Sequence, residues 1–281
     1  MATNTYHDLT AKAAWVRRTV LEMSVKAKSG HVTSAFSQTE LLVALYQGKI
    51  LRVDPRRPRW EDRDRFLLAK GQGGIGLYPV LADMGFFPPS DLDNFAGRGS
   101  HLGVHAEWQV PGIEILSGSL GHGLPIATGM AQVGLRRGAD WLVVCFLGDS
   151  ELYEGSNWEA AFFAGQKRLS NLVCVVDRNR QGVLGFTDQV EGPRDGPGLE
   201  PLDAKFTAFG FEARTIEDGH AFPQIFEAFA DIRRRQGRPP LAIIARTAKG
   251  KGVSLMENQR LWHYRVPAGK ELELARAELA R

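Results

Sequence analysis

The sequence predicts an α/β fold, a three-layer α/β/α arrangement with a mainly parallel central sheet. Two runs, Trp141–Leu147 and Leu172–Val176, are apolar at every position, as strands covered on both faces are. A helical pattern over Ser156–Arg168 separates them. The alternation continues with a further strand expected at Phe211–Ile216, an amphipathic stretch at Phe222–Arg233 and another strand pattern at Leu241–Ala245.

The earlier elements follow the same logic. Leu9, Ala13, Val20, Leu21 and Val25 recur at helical spacing over Asp8–Lys28, and Ser29-Gly30-His31 breaks that helix. A second helix is expected over Ser37–Tyr46, with Leu41, Leu42 and Leu45 facing inward. Asp64–Ala69 reads as a short buried strand, Gly71–Gly76 as a loop, and Leu77–Met84 as a helix ended by Gly85. The stretch Gly97–Gly123 is rich in Gly, His and Ser without periodicity, the signature of a functional loop. The helix Leu124–Leu135 follows it. Within Ser156–Arg168, Trp158, Ala161, Phe162 and Gly165 are expected to share the inward face. Gly192–Gly198 reads as a surface loop. With no repeat, linker or mid-chain boundary, residues 1–281 are expected to form one domain with an N-terminal helical extension and a C-terminal tail.

Composition excludes some functions. Hydrophobic residues make up 43% and charged residues 24% of the 281, ordinary for a globular chain with a sizeable core. The net charge is only +3, and the nearest thing to a basic run is Arg233-Arg234-Arg235, so no nucleic acid is expected as a partner. The two cysteines, Cys145 and Cys174, lie inside apolar strands and read as buried thiols. No long apolar stretch occurs near the N-terminus, so neither a signal peptide nor a membrane span is expected, and the location expected is cytoplasmic.

The chemistry concentrates at two strand ends. One strand runs into Gly148-Asp149-Ser150 and the next into Asp177-Arg178-Asn179-Arg180-Gln181. Ligands of open parallel sheets bind beyond the carboxyl ends of the strands, where Asp149 and Asn179 both fall. A carboxylate and an amide carbonyl are hard oxygen donors suited to Mg2+, which keeps only a few protein ligands and completes its shell with phosphate and water. Gly148 would let the backbone approach a diphosphate, and the amides from Ser150 to Gly155 could donate to it. Taken singly, Asp149 fits a helix cap and Asn179 a turn residue equally well.

These residues reach a recognisable pattern. Gly148-Asp149-Ser150, Glu154-Gly155, Trp158-Glu159-Ala160, Asn171-Leu172 and Asp177-Arg178-Asn179 together resemble the thiamine-diphosphate motif of transketolases. Ser29-Gly30-His31, Arg63-Asp64-Arg65-Phe66 with Lys70-Gly71, Pro111-Gly112-Ile113-Glu114 with Gly118–Gly123, and Lys249–Val253 with Trp262-His263 resemble further segments of that family, in order along nearly the whole chain. The resemblance implies thiamine diphosphate and Mg2+ as cofactors. It places Asp149, Asn179 and the Gln181 carbonyl on the metal. Gly148, the Ser150 amide, Glu154 and His263 fall near the diphosphate, and Gly118, Ser119 and Leu120 along the aminopyrimidine. His31 and His105 would line the substrate channel and move protons, a role suited to a side chain that titrates near neutrality. His101, His122 and His220 are left as structural.

Three segments depart from the family pattern. Gln72 stands where the family has His, and glutamine donates hydrogen bonds but exchanges no proton near neutral pH. Val32-Thr33 replaces Pro-Gly beside His31, and Ser150 replaces the second Gly of Gly-Asp-Gly. Together they leave the sugar substrate open. No segment resembles the family's pyrimidine-binding domain, so the resemblance implies a second, C-terminal-type subunit, with α2β2 the natural assembly. The activity implied is transfer of a two-carbon ketol unit from a ketose to an aldehyde. The alternatives are an acyloin synthase, part of a 2-oxo-acid decarboxylase or dehydrogenase, and a non-catalytic regulatory paralogue.

Overall fold

The computed structural model describes residues 3–183, 185–187 and 198–280. Helices α1 (Thr3–Ala27), α2 (Val32–Ser37) and α3 (Thr39–Leu45) lead to strand β1 (Arg65–Leu68) and helix α4 (Gly74–Met84). After a long irregular stretch come α5 (Gly123–Arg136), β2 (Val143–Gly148), α6 (Gly155–Gln166) and β3 (Leu172–Arg178). The chain continues through α7 (Leu202–Ala208), β4 (Glu212–Ile216), α8 (Phe222–Phe229), β5 (Leu241–Arg246) and α9 (Lys270–Leu279).

The five strands form one sheet in the order β1-β2-β3-β5-β4, and every pairing is parallel. Alternate residues of the central strands β2 and β3 enter different cores. Val144, Phe146, Val173 and Val175 pack with α1–α4 and α8 on one face, while Val143, Cys145, Cys174 and Val176 pack with α5–α7 on the other. That two-sided burial makes the strands read as continuous apolar runs and gives the three-layer α/β/α fold. Both cysteines are free and buried, facing the second core in register. Among the described residues no helix is long and apolar enough to cross a membrane.

The differences from expectation have local causes. The helix expected over Ser37–Tyr46 is α3, and a separate helix, α2, precedes it from Val32. All six residues of α2 are buried, so it shows no amphipathic period to read. Helix α4 starts at Gly74 rather than Leu77. A β-carbon on Gly76 would lie 3.0 Å from the Ala35 side chain, so the crossing of α2 and α4 needs a glycine that propensity alone counts against helix. In α6 the inward residues are Asn157, Ala160, Ala161 and Ala164, and Phe162 is 57% exposed. The C-terminal helix expected around Leu272, Leu274 and Leu279 is α9, which buries Ala275 and Leu279 and leaves Leu274 exposed. Strand β3 runs on to Arg178, which sets Asp177 inside the sheet opposite Gly148. The Gly192–Gly198 loop lies, apart from Gly198, outside the described residues.

Candidate active site

Strands β2, β3 and β5 end side by side, and the polar residues that follow them are buried together. Asp149 is 1% exposed. Its Oδ1 accepts the Ser150 amide at 2.8 Å, and its Oδ2 accepts the Arg180 amide at 2.6 Å and the Thr187 hydroxyl at 2.8 Å. Burial pushes its carboxyl above the usual aspartate range, opposed by the Thr187 hydrogen bond. Asn179 Oδ1 accepts the Gln181 amide at 3.1 Å. Successive amides, those of Arg180 and Gln181, thus donate to Asp149 and Asn179, which ties the two side chains into one turn. Arg180 sits at φ +67 within it.

A charged layer lies beneath. The Lys70 ammonium bonds to Asp177 and donates to the Ser34 carbonyl at 3.1 Å. Asp177 also accepts the Ser37 hydroxyl at 2.7 Å, the Asn179 amide nitrogen at 3.2 Å and the Thr247 hydroxyl. Burial alone would raise the Asp177 carboxyl, but Lys70 and these hydrogen bonds hold it below its ordinary value. Lys249, 2% exposed, donates to the Gln181 carbonyl and to His263 Nδ1, both at 3.1 Å. Burial and then the neighbouring Lys70 depress its ammonium to about 8. Since an ammonium only donates, His263 Nδ1 is the acceptor and the ring proton belongs on Nε2.

A cluster of rings flanks this layer. His31 lies 5.8 Å from His105, 5.5 Å from His263 and 4.5 Å from Tyr264 between ring centres. Burial, followed by the charges of His263 and His105, lowers His31 to about 3. Burial and Lys249 lower His263 to about 4. Both rings are therefore neutral at physiological pH.

The irregular stretch before α5 reaches the same place. A β-carbon on Gly71 would lie 2.0 Å from the Ser117 carbonyl oxygen, so the two backbones touch just before Gly118. Gly118 and Ser119 are exposed and Leu120 is half-buried. The Gln72 amide lies 4.0 Å from where a β-carbon on Gly148 would sit. Glu154 is exposed beside Gly121. The Ser150 amide, expected on a diphosphate, is bonded to Asp149. Among the described residues no group of three or more His, Cys, Asp or Glu side chains could hold a metal ion, so a cation here would rest on mixed oxygens. A cavity of about 780 Å³ lined by Tyr6, Lys49, Phe226 and Arg233 shares none of these residues.

Residues 10–279 match the family described as transketolase, thiamine diphosphate binding domain. The chain belongs to the transketolase family. It is 36% identical over 276 residues to one of the subunits of the apulose-4-phosphate transketolase of Actinobacillus succinogenes, covering 98% of this chain and 96% of that one. It is 38% identical over 257 residues to a 6-deoxy-6-sulfo-D-fructose transketolase subunit from a Clostridium species, covering 91% and 90%. The solved transketolases of Campylobacter jejuni and Leishmania mexicana match all of it, each with a TM-score of 0.87, at 27% and 26% identity. The chain spans only 43% and 42% of those two proteins' lengths.

Within this transketolase-family site, sequence reasoning gave no role to Lys70, Asp177, Lys249, Tyr264 or Glu151. A signal existed for Lys249. It follows β5 by three residues and so sits at the same carboxyl edge that singled out Asp149 and Asn179. Glu151 carried the same mark, three residues past the end of β2, but nothing in the sequence showed that it would be buried beneath the loop that folds over it.

Proposed function

We propose that residues 1–281 act as one diphosphate-binding domain, the cofactor-holding subunit of a two-chain, cytoplasmic transketolase. It would assemble as α2β2 with a pyrimidine-binding, C-terminal-type partner chain and transfer a two-carbon ketol unit from a ketose to an aldehyde. The observation that carries this reading is the buried turn joining Asp149, Asn179 and Gln181, with Lys249 beside it. Relatives of nearly the same length are named as transketolase subunits, which supports a partner chain. Their named sugars, a ketose phosphate and a sulfonated ketose, support an anionic, modified ketose as donor.

The donor set fits Mg2+. Asp149 Oδ1, Asn179 Oδ1 and the Gln181 carbonyl each accept one hydrogen bond and keep a lone pair. One carboxylate and two neutral oxygens suit a cation that also takes diphosphate oxygens. Lys249 and the Nε2 proton of His263 add donors for that polyanion. Gly148 keeps the space above the strand end clear, and Gly118, Ser119 and Leu120 would flank the aminopyrimidine. When bound, thiamine diphosphate supplies a nucleophilic carbon and an electron sink for breaking a bond next to a carbonyl.

His31 and His105 would hold the oxygens of the ketose. Held neutral, His31 can accept a hydrogen bond from a ketose hydroxyl, and lowered to about 3 it is a weak base for proton transfer near neutral pH. Gln72 orients substrate by hydrogen bonding and moves no proton. The test is calorimetric titration of thiamine diphosphate into the assembled enzyme, with and without chelator, for wild type and the Asp149→Ala/Asn179→Ala pair. Both chelation and the double substitution should weaken binding at least a hundredfold. Undiminished affinity in either case sinks the metal-site reading. Product analysis with ketose phosphates against 2-oxo acids tests the reaction class.

A further inference from the structure

Glu151 has no part in the mechanism above, yet it is fully buried in the middle of the site. Its Oε1 accepts the Gly121 amide at 3.0 Å and its Oε2 the Gly148 amide at 3.3 Å. One carboxyl group therefore bridges the two segments that would meet opposite ends of the cofactor. Gly148 leads directly into Asp149, and Gly121 closes the loop that presents Gly118–Leu120.

The loop has little else to set its position. A β-carbon on Gly118 would meet nothing within 4 Å, and Gly118 and Ser119 are exposed. The tip is held at its two feet. One is Ser117, whose backbone rests against Gly71. The other is Gly121, which is held through both its backbone N–H and its carbonyl. Glu151 takes its N–H, and the Ser156 hydroxyl donates to its carbonyl at 2.7 Å. Gly121 sits at φ +85, a conformation other residues rarely adopt. Glu151 is itself fixed, since its own carbonyl accepts Asn157 Nδ2 at 2.8 Å and the Glu154 amide at 3.1 Å.

The residue type matters. Burying a carboxyl group costs several kcal/mol in desolvation unless its partners offset it. A glutamine presents one accepting end and one donating end, so it cannot accept from both amides. Only a side chain with two accepting oxygens joins Gly121 to Gly148 directly.

We propose that Glu151 is a positioning residue that sets the distance between the Gly118–Leu120 loop and the Gly148–Ser150 turn, and so makes the site selective for the whole cofactor over its diphosphate alone. The proposal rests on the thiamine-diphosphate reading, and its test keeps the two apart by using two ligands. Inorganic diphosphate with Mg2+ needs only the Asp149 turn, whereas thiamine diphosphate needs the turn and the loop at their correct spacing.

Both ligands are titrated calorimetrically into the assembled two-subunit enzyme, for wild type, Glu151→Gln and Ser156→Ala. Glu151→Gln is expected to weaken thiamine diphosphate at least tenfold, about 1.4 kcal/mol, while inorganic diphosphate binds within about twofold of wild type. Ser156→Ala, which releases the Gly121 carbonyl, should show the same selective loss at about threefold, as one neutral hydrogen bond allows. Equal weakening of both ligands by Glu151→Gln, or no change in thiamine diphosphate affinity, overturns the proposal. Should Glu151→Gln fail to assemble, Ser156→Ala decides alone: a selective loss supports the positioning role, and unchanged binding overturns it. Wild type that binds neither ligand would instead count against the cofactor reading.

Discussion

Lys249 gives a prediction with an unusual sign. Its ammonium is buried, and its value is depressed from 10.5 to about 8, first by burial and then by Lys70. That depression corresponds to roughly 3 kcal/mol of disfavour for the charged form in the folded chain. Its two hydrogen bonds, to the Gln181 carbonyl and His263, return about 1 kcal/mol each. Lys249→Met removes the penalty together with the bonds, so the cofactor-free protein should become more stable by about 1 kcal/mol at neutral pH. The sign follows from linkage. A lysine whose folded value lies below its unfolded one destabilises fully below about 8, and the penalty disappears as pH rises to 10.5. At the alkaline end only the lost hydrogen bonds remain, and the variant should be the less stable by about 2 kcal/mol. Urea midpoints of both proteins across that range test the crossover. Thiamine diphosphate affinity should meanwhile fall by about tenfold or more, the worth of one charge-assisted hydrogen bond. A variant that is less stable at neutral pH, or a stability difference that ignores pH, refutes the reasoning.

Two further outcomes test the framework around the site. Glu40 accepts both terminal nitrogens of Arg17 at 2.6 Å and lies 2.8 Å from His220 Nδ1. Burial pushes its carboxyl up, but Arg17 and His220 bring it down from 4.5 to about 2. Its stabilisation is thus present above about 4.5 and lost as pH falls towards 2. Glu40→Gln should cost up to about 3 kcal/mol at neutral pH, with the gap from wild type closing through that acid window in denaturant titrations. A gap that stays constant with pH contradicts the assignment. Gly71→Ala should destabilise by about 1–3 kcal/mol, because its β-carbon would fall 2.0 Å from the Ser117 carbonyl oxygen. Gly148→Ala, whose β-carbon would have 3.5 Å to Lys70, should keep wild-type stability yet bind thiamine diphosphate less tightly. Equal melting temperatures for the two variants would show that the Gly71 contact relaxes freely.

The sheet was legible because parallel strands buried on both faces leave a plain record. Trp141–Leu147 and Leu172–Val176 contain no polar residue at all. Strand ends were legible for the same reason: the first polar residues after such runs, Asp149 and Asp177 to Asn179, must lie at the sheet's carboxyl edge. Legibility failed where burial came from unlike neighbours. Helix α2 is invisible because six buried residues in succession carry no period. The start of α4 is hidden because its glycines answer to residues far away in sequence, Gly74 to Ala106 and Gly76 to Ala35 and Gln38. Phe162 misleads because an aromatic at helical spacing reads as core, whereas small alanines let α6 sit close to the sheet. In the site, Lys70, Lys249 and Glu151 each follow a strand by two or three residues, which places them at the carboxyl edge, but nothing local announces that a lysine or glutamate there will be buried.

The side chains left exposed around this edge bear on the two-chain reading. Leu116 is 61% exposed, Tyr153 59%, Leu261 69% and Tyr264 52%, and each adjoins a segment that contributes to the site. Scattered exposed apolar residues need no explanation. These four, however, border the place where Lys70, Lys249, Asp149 and Asp177 are buried at a desolvation cost. Cofactor pockets ordinarily enclose most of their ligand, because electrostatic contacts gain strength once water is excluded. Here Gly118 and Ser119, expected along the aminopyrimidine, face solvent. The charges are already desolvated on the diphosphate side, while the ring side remains open. That asymmetry is what a half-site needs if a second chain is to complete it, and on the proposed two-chain reading this chain alone is expected to hold the cofactor weakly and turn over no substrate.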